Sequence, residues 1–135
     1  MEKDILQLED DIDTAILFWR YFERNRDPNK GTLITKPTLC SFIDGLTLKP
    51  EATRFILDGN FPEEEWGPTD FLLPVALDFL RTQAQKIEKI IIYSAEDLEK
   101  LKSAIPRGIE NMSITIISKW WTMGIAEIIK EILAD

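Results

Sequence analysis

Histidine is missing from all 135 residues. That absence removes the usual general base near neutral pH, the commonest metal ligand and the middle member of a Ser-His-Asp or Cys-His site. Cysteine occurs once, as Cys40. No disulfide can form within the chain, and a zinc or iron–sulfur site would need carboxylates or a second chain to complete its ligands. No apolar run approaches the ~20 residues that cross a bilayer, and Glu2-Lys3-Asp4 does not open a secretory leader. A glycine-rich phosphate loop is absent as well. Together these absences predict a non-catalytic, cytoplasmic protein with no cofactor and no metal.

What the chain does have is acid, unevenly placed. The formal net charge is −8; residues 1–70 hold 15 acids against 8 bases, whereas residues 71–135 hold 9 against 8. Two windows carry most of the excess. Residues 1–13 have six acids and Lys3 alone as a base, and residues 58–70 have five acids and no base. Such a field repels nucleic acid and draws basic partners inward.

Ile5, Leu8, Ile12, Ile16, Trp19 and Phe22 recur at spacings of three and four, which predicts one amphipathic helix over residues 3–24 with this stripe facing the core. Glu9, Asp10, Asp11 and Asp13 fall near its start and Arg20, Arg24 and Arg26 at its end, as the helix dipole prefers. Asp27-Pro28-Asn29 and Gly31 then read as a turn. A calcium loop beginning at Asp27 fails, because the glycine comes one position early and Thr38 stands where a bidentate glutamate is needed. Leu39, Phe42, Ile43 and Leu46 share a helical face, and Pro50 is expected to open a further short helix through Leu57. As a DNA-reading pair these two helices offer only Lys49 and Arg54 to phosphates, too few in the acidic half.

Residues 60–70 contain two prolines and a glycine and predict a surface loop. In it Trp66 follows Glu63, Glu64 and Glu65, an aromatic anchor framed by carboxylates. Residues 71–87 keep helical spacing, and Phe71, Val75 and Phe79 add a second apolar side that suits an oligomer contact, with Trp120 as a further candidate. Pro74 belongs in the first turn of that helix.

The second half then alternates. The β-branched runs 90–93 and 112–117 predict strands, each followed by a helix, the first capped by Ser94 with Asp97 three residues on, the second by Ser118 and faced by Trp121, Ile125, Ile128, Ile129 and Ile132. About 19 residues separate the strands, which fits a right-handed crossover between parallel neighbours. Residues 32–34 supply a possible third strand. If the strands are parallel, Tyr93, Lys119 and Trp120 meet beside two helix starts, where a small anionic ligand would bind. Glu9 and Asp13, four apart on the expected helix, would be the pair to share a divalent cation.

The expected fold is therefore a helix-rich α+β single domain, 1–135: a helical acidic half (1–59), an acidic loop (60–70), and a helix plus β-α-β-α scaffold (71–135) with a small two- or three-stranded sheet. The expected function is an acidic protein-binding module of inhibitor or immunity type that masks a basic protein partner without touching nucleic acid or membrane. Glu9, Asp10, Asp11, Asp13, Glu63, Glu64, Glu65, Trp66 and Asp70 would form its partner surface. A structural subunit pairing as a homo-oligomer such as a homodimer, and a small anionic-ligand binder, are the alternatives.

Overall fold

A computed structural model describes residues 2–83, 87–109, 113–120 and 124–135. The elements are β1 (Lys3–Leu8), α1 (Ile12–Arg24), β2 (Lys30–Lys36), α2 (Leu39–Leu48), β3 (Arg54–Leu57), β4 (Asn60–Pro62), β5 (Thr69–Phe71), α3 (Leu73–Arg81), β6 (Lys89–Ser94), α4 (Leu98–Ser103), β7 (Ile114–Ser118) and α5 (Ile125–Leu133). Five strands form one sheet in the order β2-β1-β3-β6-β7, and every pair in it is parallel. β4 and β5 form a separate antiparallel hairpin.

This is an α/β fold with a doubly wound sheet, not the helix-rich α+β fold with a small sheet that the sequence suggested. Its core has two layers. On one face Leu6, Leu8, Phe55, Leu57, Ile90 and Ile92 pack with Leu39, Phe42 and Leu46 of α2, Leu77 and Leu80 of α3 and Leu101 of α4. On the other Ile5, Ile56, Ile91 and Ile117 pack with Phe18 and Phe22 of α1 and Ile128, Ile129 and Ile132 of α5. Alternate residues of each central strand thus go to opposite faces, both apolar, as parallel sheets require.

That double burial is why the expectation failed in the first half. β1 and β3 are buried on both sides, so they carry no period-two signature, and Ile5 and Leu8 fell by chance into register with α1. The real start of α1 is Asp11, whose carboxylate accepts a hydrogen bond from the Thr14 N–H. In consequence Ile12, Ile16 and Trp19, expected in the core, are 72%, 43% and 55% exposed, while Phe18 and Phe22 are buried. The expected helix after Pro50 is the strand β3, and residues 32–34 lie in β2, which pairs with β1 and not with the C-terminal unit.

Other expectations survive in part. α2 buries Leu39, Phe42 and Leu46, and Pro74 stands in the first turn of α3. β6 and β7 are parallel neighbours. The caps moved: Asp97 caps α4 by accepting from the Lys100 N–H, and Gly124 precedes α5. Trp121 and Met112 lie outside the described residues.

At the opposite end from the helix starts, Lys3, Arg54 and Lys89 of three neighbouring strands converge on the last turn of α5. Lys3 Nζ donates to Leu133 O (2.6 Å), Arg54 to Ile132 O and Ala134 O (2.7 and 2.8 Å), and Lys89 Nζ to Glu131 O and Ala134 O (2.7 and 2.8 Å). Cations there satisfy the helix's orphan carbonyls and complement its dipole. They fix α5 against the sheet.

Candidate functional site

The chain winds outward from β1 to β2 and then returns to β3 on the other side, leaving a crevice beyond the C-terminal ends of β1 and β3. In open parallel sheets this is where ligands bind. Here each neighbouring strand ends by delivering a polar side chain to it: Glu9 and Asp10 after β1, Asp58 after β3, Ser94 at the end of β6 and Lys119 after β7.

The strand ends are tied together by the backbone. Glu9 N–H donates to Lys36 O (3.0 Å), Asp58 N–H to Leu8 O (3.0 Å) and Lys119 N–H to Ser94 O (2.9 Å). These bonds fix where the side chains start. Lys119 Nζ then reaches Asp58 Oδ2 at 3.0 Å and Glu9 Oε1 at 3.1 Å. Asp58 Oδ1 accepts from the Gly59 N–H at 2.6 Å. Gly59 permits close approach at this point: a Cβ there would stand 2.8 Å from Ser94 Oγ. Ser94 is completely buried and its hydroxyl accepts from the Glu96 N–H (3.1 Å).

Charge in the crevice does not balance. Glu9 and Asp58 are buried, Asp10 is half-buried, and an oxygen of each lies within 4.8 Å of the other two. Lys119 is the cation that faces them. Burial, and then repulsion from Asp58, push the Glu9 pKa up to about 7 against the pull of Lys119 and the Asp11 N–H. Asp10 is raised for the same two reasons. Burial pulls the Lys119 pKa down, but Asp58 and Glu9 outweigh it and hold the ammonium above its ordinary value. Tyr93 completes the wall, its ring 5.4 Å from Lys119 Nζ and edge-on to Phe18.

A cluster of hard oxygen donors with uncompensated negative charge suits a small divalent cation such as magnesium, which takes one or two carboxylates and keeps several waters. Glu9, Asp10 and Asp58 would hold it. The Glu9–Asp13 pairing expected from the sequence does not form, because Glu9 precedes the helix; Asp13 is exposed on α1 and Asp11 is spent on the cap.

The remaining expected residues lie elsewhere. Glu63, Glu64, Glu65 and Trp66 sit in the turn of the β4–β5 hairpin and Asp70 is in β5, all exposed; Trp66 is 95% exposed and held at φ 68°. The expected loop is thus an ordered hairpin, tied to α2 by Cys40 N–H to Glu63 O (2.8 Å) and to the β6–α4 connection by Asn60 Nδ2 to Glu96 Oε2 (3.2 Å). Of the expected oligomer contacts, Phe71 and Phe79 pack partly against the core and Val75 is exposed. Trp120 is 79% exposed, with its indole N–H donating to Ala95 O (3.1 Å).

Asp58 has no role in the sequence reading, Ser94 enters it only as a helix cap, and Lys119 only beside a small anionic ligand. The signal available was positional: each ends a short apolar run, as Glu9 and Asp10 do, and once those runs are strands of one parallel sheet their ends must meet.

No family model matches the chain, and no curated protein does. Among solved structures it is similar to a two-component response regulator from Legionella pneumophila, with a TM-score of 0.65 and 23% identity over 98% of each chain. That likeness shows the fold. It also overturns the inhibitor or immunity reading, which assumed a helical acidic half presenting its carboxylates outward; in this fold Glu9 and Asp10 turn inward onto the crevice. Among the described residues no helix is long and apolar enough to cross a membrane.

Proposed function

We propose that this chain is a phosphoacceptor signalling domain whose acceptor is Asp58. The observation that carries the proposal is the convergence of Asp58, Glu9 and Asp10 on one face of Lys119 at the switch point of the sheet. The likeness to a response regulator supports it.

The chemistry follows from the groups present. A carboxylate oxygen of Asp58 attacks the phosphorus of an activated donor, a phosphoramidate or an acyl phosphate. The new O–P bond forms as the bond to the leaving atom breaks, and the leaving group departs with that electron pair. Such a transfer depends on positioning and on neutralising the charge spread over the phosphoryl oxygens. Lys119, already 3.0 Å from Asp58, is placed to take one of those oxygens. Ser94, beside Gly59, is placed to donate its hydroxyl to another once it turns from the Glu96 N–H. Glu9, Asp10 and Asp58 would hold a divalent cation, which would supply charge neutralisation when bound. Glu9 must lose its proton for that, so its raised pKa makes cation loading sensitive to pH near neutrality.

Incubation with acetyl phosphate and magnesium, followed by intact-mass spectrometry, tests the reading. One phosphoryl group should add to the wild-type chain and none to Asp58→Asn, while Lys119→Met should lower the level reached. A chain that gains no phosphoryl group, or gains one equally as Asp58→Asn, would refute it.

A further inference from the structure

The exposed stripe of α1 has no function in the proposal above, and the sheet explains why it is open. β2 is an edge strand, with α2 packed on one face of the sheet beside it and α1 on the other, and the side of α1 that looks past β1 is left uncovered. Ile12, Ile16 and Trp19, four and three residues apart, line a groove of about 280 Å³ with Ala15, Leu33 and Thr35. A contiguous apolar groove containing a half-exposed tryptophan marks an interaction surface.

The charges beside this seam indicate what covers it. Asp13 stands near the start of α1 and Arg20 two turns on, about 20° apart around the helix and on the same flank of the seam. Among the described residues neither pairs with any other charge of the chain. In a second copy laid antiparallel across the first, with the twofold axis passing between Ile16 and Leu17, Asp13 of each copy meets Arg20 of the other. Parallel packing about a twofold would put this flank of each copy on opposite sides of the seam, so neither Asp13–Arg20 pair would form. The seam is thus complementary to itself in one orientation, as a twofold interface demands.

We infer that the chain forms a homodimer through antiparallel α1 helices, with Ile12, Ile16 and Trp19 at its centre and Asp13–Arg20 pairs at its rim. This stands independently of phosphorylation, since it uses none of the crevice residues.

Sedimentation of the full chain over a micromolar concentration series, with circular dichroism on every variant, tests it. The wild type should pass reversibly from the 15.6 kDa monomer to twice that mass. Asp13→Arg should weaken association about tenfold, and the double change Asp13→Arg with Arg20→Asp should restore it. In a Cys40→Ser background, Ile16→Cys should crosslink to a covalent dimer on oxidation, and Val75→Cys, equally exposed on α3, should not. A monomer across the series, charge variants that leave association unchanged, or crosslinking through residue 75 and not 16 would each overturn the inference.

Discussion

Replacing Glu9 by glutamine separates the burial of this carboxylate from everything else in the crevice. Glu9 is 3% exposed and its pKa is about 7, against 4.5 for an ordinary glutamate. The folded state therefore holds the proton more tightly than the unfolded chain does. Stability from this group is complete below about pH 4.5, where both states are protonated, falls as the pH rises, and is gone above about pH 7. With 1.36 kcal/mol per unit, a gap of roughly two and a half units corresponds to ~3 kcal/mol. Glutamine keeps the shape and does not titrate. Urea unfolding in the presence of a chelator, for wild type and Glu9→Gln, should show the variant gaining about 3 kcal/mol on the wild type between about pH 4.5 and pH 7.5. Asp58→Asn removes the second cause of the shift and should move the wild-type transition to lower pH. Magnesium competes with the same proton, so its stabilisation of the wild type should be larger at about pH 8 than at about pH 6. A stability difference between wild type and Glu9→Gln that stays flat across this range would refute the burial argument.

Two further substitutions probe how the fold holds the site. Arg54→Met leaves the Ile132 carbonyl without its donor, the Ala134 carbonyl with Lys89 alone and Glu88 without its partner at the foot of α5, and should cost about 2–4 kcal/mol in urea unfolding; a loss under about 0.5 kcal/mol would mean that Lys3 and Lys89 hold the helix unaided. Gly59→Ala drives a Cβ to within 2.8 Å of Ser94 Oγ and 3.1 Å of Leu101. It should destabilise by about 1–3 kcal/mol and slow phosphorylation, with part of the stability recovered when Ser94→Ala removes the hydroxyl.

The second half of the chain was the more legible one. Ile90 to Ile92 and Ile114 to Ile117 are short β-branched runs bounded by polar residues, and the distance between them fits the parallel crossover that the structure has. The first half misled because its strands are central. Ile5 to Leu8 and Phe55 to Leu57 lack alternation, since water touches neither side of them, and three acids in a row after Leu8 read as the wet face of a helix. Those acids do two different things. Glu9 and Asp10 end a strand and Asp11 starts a helix, a boundary that local spacing does not mark.

By itself, then, the sequence determined the chemistry available: oxygen ligands and ammonium groups, with no imidazole and no thiol pair. It also determined most helices and the place of the last two strands, because periodicity is a local property; their parallel pairing came from the structure. Only the tertiary structure decided that Glu9, Asp10, Asp58, Ser94 and Lys119, spread over 110 positions, share one crevice. Only it decided that Ile12, Ile16 and Trp19 lie outside the core. Both depend on strand order, and strand order is set by which buried faces pack together, a long-range result that no window of the chain contains.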